Sequence, residues 1–141
     1  MIVLDTNVIS AMMAKREDVA VTRWLDQQPL ASLYATAINV HELRYGIEKM
    51  PHGRRRATLG KNLDVVLSVL AERILPLDAA AAATSGRVQA QREVAGRPIE
   101  LADCLIVGIA NSRGAAIATR NVRHFSDLPV KVIDPWAPMA E

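Results

Sequence analysis

Three acids, Asp5, Glu42 and Asp103, stand at places in this sequence where carboxylates could work together. Asp5 opens Asp5-Thr6-Asn7, and a second polar run, Thr119-Arg120-Asn121, follows far along the chain. Three carboxylates on one edge repel one another unless they are protonated or neutralised by a cation. Hard cations such as Mg²⁺ and Mn²⁺ select all-oxygen sites of this kind. A metal so placed can activate water and stabilise the charge that develops in phosphodiester hydrolysis. Each residue also has a purely structural use. Asp5, Thr6 or Asn7 can cap a helix beginning there, Glu42 and Asp103 suit the positive ends of helices, and Asn121 suits a turn. It is the joint pattern that points to chemistry.

The elements that must position these groups follow from periodicity. The β-branched run at 2–4 predicts a short buried strand, with further strands near 33–38, 73–77, 115–119 and 130–133. Val21, Trp24 and Leu25 mark a helix over 18–28, stopped by Pro29. Val40, Leu43, Ile47 and Met50 share one face of a helix over 39–50, broken by Pro51-His52-Gly53. Leu63, Val66, Leu67 and Leu70 mark another, and helices are predicted over 78–95 and 100–112. Strands that alternate with helices imply an α/β fold with a mostly parallel sheet and helices on both faces. Ligands of such sheets bind outside the carboxyl ends of the strands. There Asp5 follows the first strand, Glu42 falls in the first turn after the second, and Asp103 in the first turn of its helix. Thr119 and Asn121 close the strand beyond.

Composition narrows the options. The 141 residues, half of them hydrophobic, suffice for one domain with its own core. A single cysteine, Cys104, permits no internal disulfide and fits a reducing cytoplasm. The start lacks a secretory signal, and the longest apolar run, 104–110, is too short to span a membrane. Net charge is only +2, but basic residues are clustered. Arg44, Lys49, Arg54, Arg55, Arg56 and Lys61 face one acid, Glu48, and Arg113, Arg120, Arg123 and Lys131 face only Asp127. Such clusters can contact phosphates, although a solvated surface is the simpler account of each. Few aromatics argue against a base-stacking sheet. No phosphate-cradling Gly-rich loop, C-x-x-C or H-E-x-x-H is present. Cys104 lies among apolar neighbours, as core thiols do. An aspartyl phosphatase wants a second acid near Asp5, where Asn7 stands. His41 is expected to point outward and His52 to lie in a loop.

Met1-Ile2-Val3-Leu4-Asp5-Thr6-Asn7-Val8-Ile9-Ser10 resembles the opening of PIN-domain toxins of the VapC and FitB type. His41-Glu42-Leu43-Arg44-Tyr45-Gly46 resembles their second motif, and Leu101-Ala102-Asp103-Cys104-Leu105-Ile106-Val107 their third. Ala118-Thr119-Arg120-Asn121 resembles the fourth, and Asp134-Pro135-Trp136 a FitB-like ending. The motifs keep their order and spacing across the chain. The resemblance implies a Rossmann-like PIN fold over residues 1–141 and an endoribonuclease dependent on Mg²⁺ or Mn²⁺. It further implies the toxin of a type II toxin–antitoxin module, a homodimer neutralised by a small DNA-binding antitoxin of VapB/FitA type. Asp5, Glu42 and Asp103 would be the metal ligands. Thr119, Asn121 and Asn7 would support metal, water or RNA substrate. The family's fourth acid falls at Asn121 or in an Asp-Phe pair where this chain has His124-Phe125, so neither position carries a carboxylate. Glu100 stands where a small residue is usual, as a solvated helix start. A weakened PIN domain serving mainly as partner of a DNA-binding antitoxin in autorepression is the alternative.

Overall fold

The computed structural model describes residues 1–139. Its first half runs β1 (Ile2–Leu4), α1 (Thr6–Met13), α2 (Val19–Asp26), β2 (Leu33–Thr36), α3 (Ala37–Glu48) and α4 (Arg54–Leu70). The second half runs β3 (Ile74–Leu75), α5 (Ala79–Val94), α6 (Leu101–Ser112), β4 (Ala116–Ala118), α7 (Val122–Phe125) and β5 (Val132–Ile133). The strands form one sheet in the order β3-β2-β1-β4-β5, and every pairing is parallel. Val3 of the central strand lies opposite Tyr34 on one side and Ile117 on the other.

Alternation along the strands builds two cores. Leu4, Leu33, Ala35 and Ala118 face one way, onto Val8, Ile9, Leu43, Leu63 and Leu70 from α1, α3 and α4. Val3, Leu75 and Ile117 face the other way, onto Val88, Ile106, Ile109 and Phe125 from α5, α6 and α7. Burial on both faces is what the continuous aliphatic character of β1 and β4 requires. Trp136 closes the first core, and its Nε1 donates to Asp18 Oδ2 at 2.8 Å. Asp18 itself caps α2, so the segment after β5 is tied to the start of a helix.

Three differences from the sequence reading have local causes. Helix α3 begins at Ala37 because Thr36 and Asn39 form a capping box; Glu42 therefore lies in the second turn, not the first. Helix α4 begins at Arg54, directly after the Pro51-His52-Gly53 break and well before its apolar markers from Leu63, so Arg54-Arg55-Arg56 form its first turn. Helix α7 is one turn long, too short for periodicity to show, and is held by the fully buried Phe125. Helix α5 ends as expected at Gly96, whose φ of 72° suits the residue that follows a helix. No helix is long and apolar enough to cross a membrane among the described residues.

Helices α5 and α6 pack so closely that Gly108 has no room for a side chain. A Cβ there would stand 2.3 Å from Ser85 Oγ and 2.4 Å from the Ala81 carbonyl oxygen. Alanine normally gains about 1 kcal/mol over glycine inside a helix, but a clash with backbone outweighs that. Gly108→Ala is expected to lower stability by about 1–3 kcal/mol, read as a lower urea midpoint. An unchanged or raised midpoint would mean that the two helices have slack.

Candidate functional site

A parallel sheet sends all its carboxyl ends to one edge, and helices α1, α3 and α6 begin there. Asp5, which follows β1, is the N-cap of α1, and its Oδ1 accepts from the Thr6 N–H at 2.8 Å. It is 4% exposed, so its second oxygen also needs partners. Oδ2 accepts from the Thr119 hydroxyl at 2.7 Å and from Asn7 Nδ2 at 3.3 Å. Thr119, fully buried after β4, also accepts from the Asn121 N–H at 3.0 Å. Asn7 Oδ1 accepts from the Arg120 N–H at 3.3 Å. The ends of β1 and β4 are thus stitched together around one carboxylate.

Glu42 reaches the same edge from α3, where its Oε1 accepts from the Thr6 hydroxyl at 2.8 Å. Asp103 arrives in the first turn of α6. All three acids line a cleft of about 600 Å³ with Asn7, Asn121 and His124. Asp103 is pushed up to about 6 from an ordinary 3.8. Burial is the main cause, followed by the charges of Asp5 and Glu42; His124 opposes the shift and Glu100 adds to it. His124 Nδ1 stands 3.9 Å from Asp103 Oδ2, and its side chain is exposed.

All five expected site residues, Asp5, Glu42, Asp103, Thr119 and Asn121, belong to this edge. The side chains do not close into a cage: among the described residues, no three carboxylate, imidazole or thiol groups stand together at metal-holding distance. Asp5 and Glu42 instead spend oxygens on hydroxyl donors. The donor set still fits a hard divalent cation, being all oxygen, and the charges of Asp5 and Glu42 add to burial in raising Asp103.

Three polar residues of the edge escaped the sequence reading. Thr36 and Asn39 are fully buried, and the T-x-x-N spacing of a capping box was their signal. Arg92 also lines the cleft, though buried. It pairs with Asp127 and donates through Nε to the Arg97 carbonyl at 2.7 Å, clamping the end of α5 to the segment between α7 and β5. Nothing in the sequence around Arg92 distinguishes it from a surface arginine. His41 is exposed and stacks on Tyr45, while the exposed His52 bonds Arg56. Cys104 is buried, its thiol pushed up mainly by burial, which makes it unreactive.

Acids gathered at the carboxyl edge of a parallel α/β sheet place this chain among α/β proteins whose ligand site lies at that edge. Known proteins narrow the class. A PIN domain family model matches residues 2–131. A VapC ribonuclease of Sinorhizobium fredii is 41% identical over 139 residues, covering 98% of this chain and 99% of that protein. The toxin FitB of Neisseria gonorrhoeae is 35% identical over 137 residues, covering 96% and 99%. A solved structure of FitAB bound to a DNA fragment matches with a TM-score of 0.89 at 33% identity, over 99% of both chains. The chain belongs to the PIN domain family.

The elevated Asp103 carries a consequence for stability. A carboxyl whose folded-state value lies above its unfolded one favours folding at low pH. That contribution is lost as pH rises from about 4 through about 6. In metal-free protein, after a discount for solvent screening at this part-exposed side chain, the loss is on the order of 1 kcal/mol. Asp103→Asn is therefore expected to melt higher than wild type at pH 7 in EDTA, with the gap closing below pH 4. Parallel melting profiles across this range would show that the carboxyl is not under strain.

Proposed function

We propose that this chain is the toxin of a toxin–antitoxin pair, an endoribonuclease that hydrolyses RNA phosphodiester bonds using Mg²⁺ or Mn²⁺. The observation that carries the reading is the meeting of Asp5, Glu42 and Asp103 in one cleft. Its context is a chain 41% identical, over nearly its whole length, to a VapC ribonuclease. On this reading residues 1–141 form a single PIN domain that works in the cytoplasm as a homodimer.

Asp5, Glu42 and Asp103 would hold the cation, which when bound supplies charge compensation and activation of water and phosphate. Thr119 and Asn7 orient Asp5 through the bonds described above. Asn121 supplies a neutral group where a fourth acid would sit, so the edge has negative charge enough for one strongly held ion. The same neutral position favours a second reading, a weakly active domain that serves mainly as partner to a DNA-binding antitoxin.

The antitoxin has a surface suited to it. An apolar groove of about 970 Å³ runs between α1, α3 and α4 and shares Thr6, Ser10 and Glu42 with the acid cleft. Met13, Leu43, Ile47 and Leu59 line it, and Lys15, Arg54 and Arg55 stand at its rim. An apolar segment fits the groove, and a basic side chain on it would reach the acids.

Asp5→Asn isolates the metal role, because asparagine caps a helix as well as aspartate does. The variant is expected to stay folded, since relief of carboxylate repulsion offsets loss of the bonds that Oδ2 accepts from Thr119 and Asn7. Its RNA cleavage with Mn²⁺ should fall at least about 100-fold. In the wild type EDTA should abolish cleavage, and calorimetry should show one tight Mn²⁺ per chain. Cleavage by Asp5→Asn at the wild-type rate would refute the assignment. Tight Mn²⁺ binding without any RNA cleavage by wild type would favour the second reading.

The basic rim has its own test. Arg54 and Arg55 are exposed in the first turn of α4, where the helix dipole disfavours positive charge. Arg56 is committed to Glu48 and His52 and is set aside. Replacing Arg54 and Arg55 by alanine should weaken RNA binding and lower the slope of log K against log salt by roughly 1.4 for two phosphate contacts. An unchanged slope would make the pair a solvated helix end.

A further inference from the structure

Glu42 sits in the second turn of α3, beyond the turn where the helix dipole acts most strongly, so its carboxylate needs another anchor. The anchor is the hydroxyl of Thr6, which donates to Glu42 Oε1 at 2.8 Å. That hydroxyl accepts from Asn39 Nδ2 at 3.0 Å. Asn39 Oδ1 in turn takes two donors, the Thr36 N–H and the Thr36 hydroxyl, each at 2.8 Å.

These bonds run in only one direction. A backbone N–H cannot accept, so the Asn39 atom facing Thr36 must be the carbonyl oxygen, and the amide nitrogen must face Thr6. The Thr6 oxygen is then occupied as an acceptor from that side, and its single proton is left for Glu42. Capping α3 uses only Asn39 Oδ1 and its backbone N–H. A carboxylate could do the same. What the amide adds is the donor to Thr6, and both Thr36 and Asn39 are fully buried, where such a bond is not exchanged for water.

The geometry points to Thr36, Asn39 and Thr6 as a positioning relay that fixes the Glu42 carboxylate in the acid cleft for a divalent cation. Asn39 and Thr6 are positioning residues, and Glu42 is the group they set. The role in metal binding rests on the nuclease reading; the coupling of Thr6 to Glu42 does not. A free glutamate side chain has several rotamers to lose on binding a cation, and the relay removes that loss in advance.

Thr6→Val keeps the shape of the side chain and deletes the hydroxyl, whereas Thr6→Ser keeps the hydroxyl. Titration calorimetry of the full chain with Mn²⁺ alone is expected to show roughly 10- to 100-fold weaker binding by Thr6→Val. Thr6→Ser should restore most of the affinity. Asn39→Asp keeps the acceptor that caps α3 but removes the donor, freeing the Thr6 proton to turn from Glu42; it should weaken Mn²⁺ binding in the same way. Melts in EDTA of Thr6→Val, Glu42→Ala and the double variant should be non-additive. Wild-type Mn²⁺ affinity in both Thr6→Val and Asn39→Asp would overturn the relay, as would strictly additive melts. Absence of Mn²⁺ binding by the wild type would defeat the nuclease reading instead, with the melts still deciding whether Thr6 and Glu42 are coupled.

Discussion

Carboxylates of like charge brought to one edge of a sheet must be compensated, and the polar bonds at that edge serve this need. Asp5 is buried at the end of the central strand and takes three hydrogen bonds, from the Thr6 N–H, Asn7 and Thr119. Glu42 takes the Thr6 hydroxyl. Asp103 has the first turn of α6 and His124 at a distance, and burial, with the charges of Asp5 and Glu42 behind it, pushes its carboxyl up to about 6. The parallel order of the strands imposes the problem, because β1, β2 and β4 all end at the same edge and deliver their following residues there. It also supplies part of the answer. Helices α1, α3 and α6 begin at that edge, and helix starts favour negative charge.

How much of this was legible in the sequence depended on whether a residue announces itself by type or by surroundings. Strands β1 and β4, and the apolar stripe of α3, follow from aliphatic periodicity, so the parallel α/β sheet could be read directly. The three acids stood out jointly, because strand and helix order carries all of them to one edge although each alone has a structural use. Thr6 and Asn39 did not stand out. Their importance comes from burial and from the direction of their hydrogen bonds, neither of which a sequence displays. Arg92 is similar: an arginine in the last turn of a helix is ordinary, and only Asp127, brought near by the fold, makes it a clamp. Helix α3 starts two residues before its apolar periodicity places it, enough to move Glu42 from the first turn to the second and to hide its need for Thr6.

The acid cleft and the apolar groove are not independent. Helix α1 forms a wall of both, and Thr6, Ser10 and Glu42 line both. The Thr6 hydroxyl that orients Glu42 therefore stands where a segment lying in the groove would pass. Any partner that favours one arrangement of Thr6 and Glu42 changes the affinity of the cleft for a cation, and the cation changes the affinity for the partner by the same factor. Under the toxin reading this reciprocity has a direct meaning. An antitoxin need not fill the cleft to disarm it, because disturbing the Thr6–Glu42 bond removes the preorganisation of one of three acids. Blocking and disarming then become two effects of one contact, both transmitted through the first turns of α1 and α3.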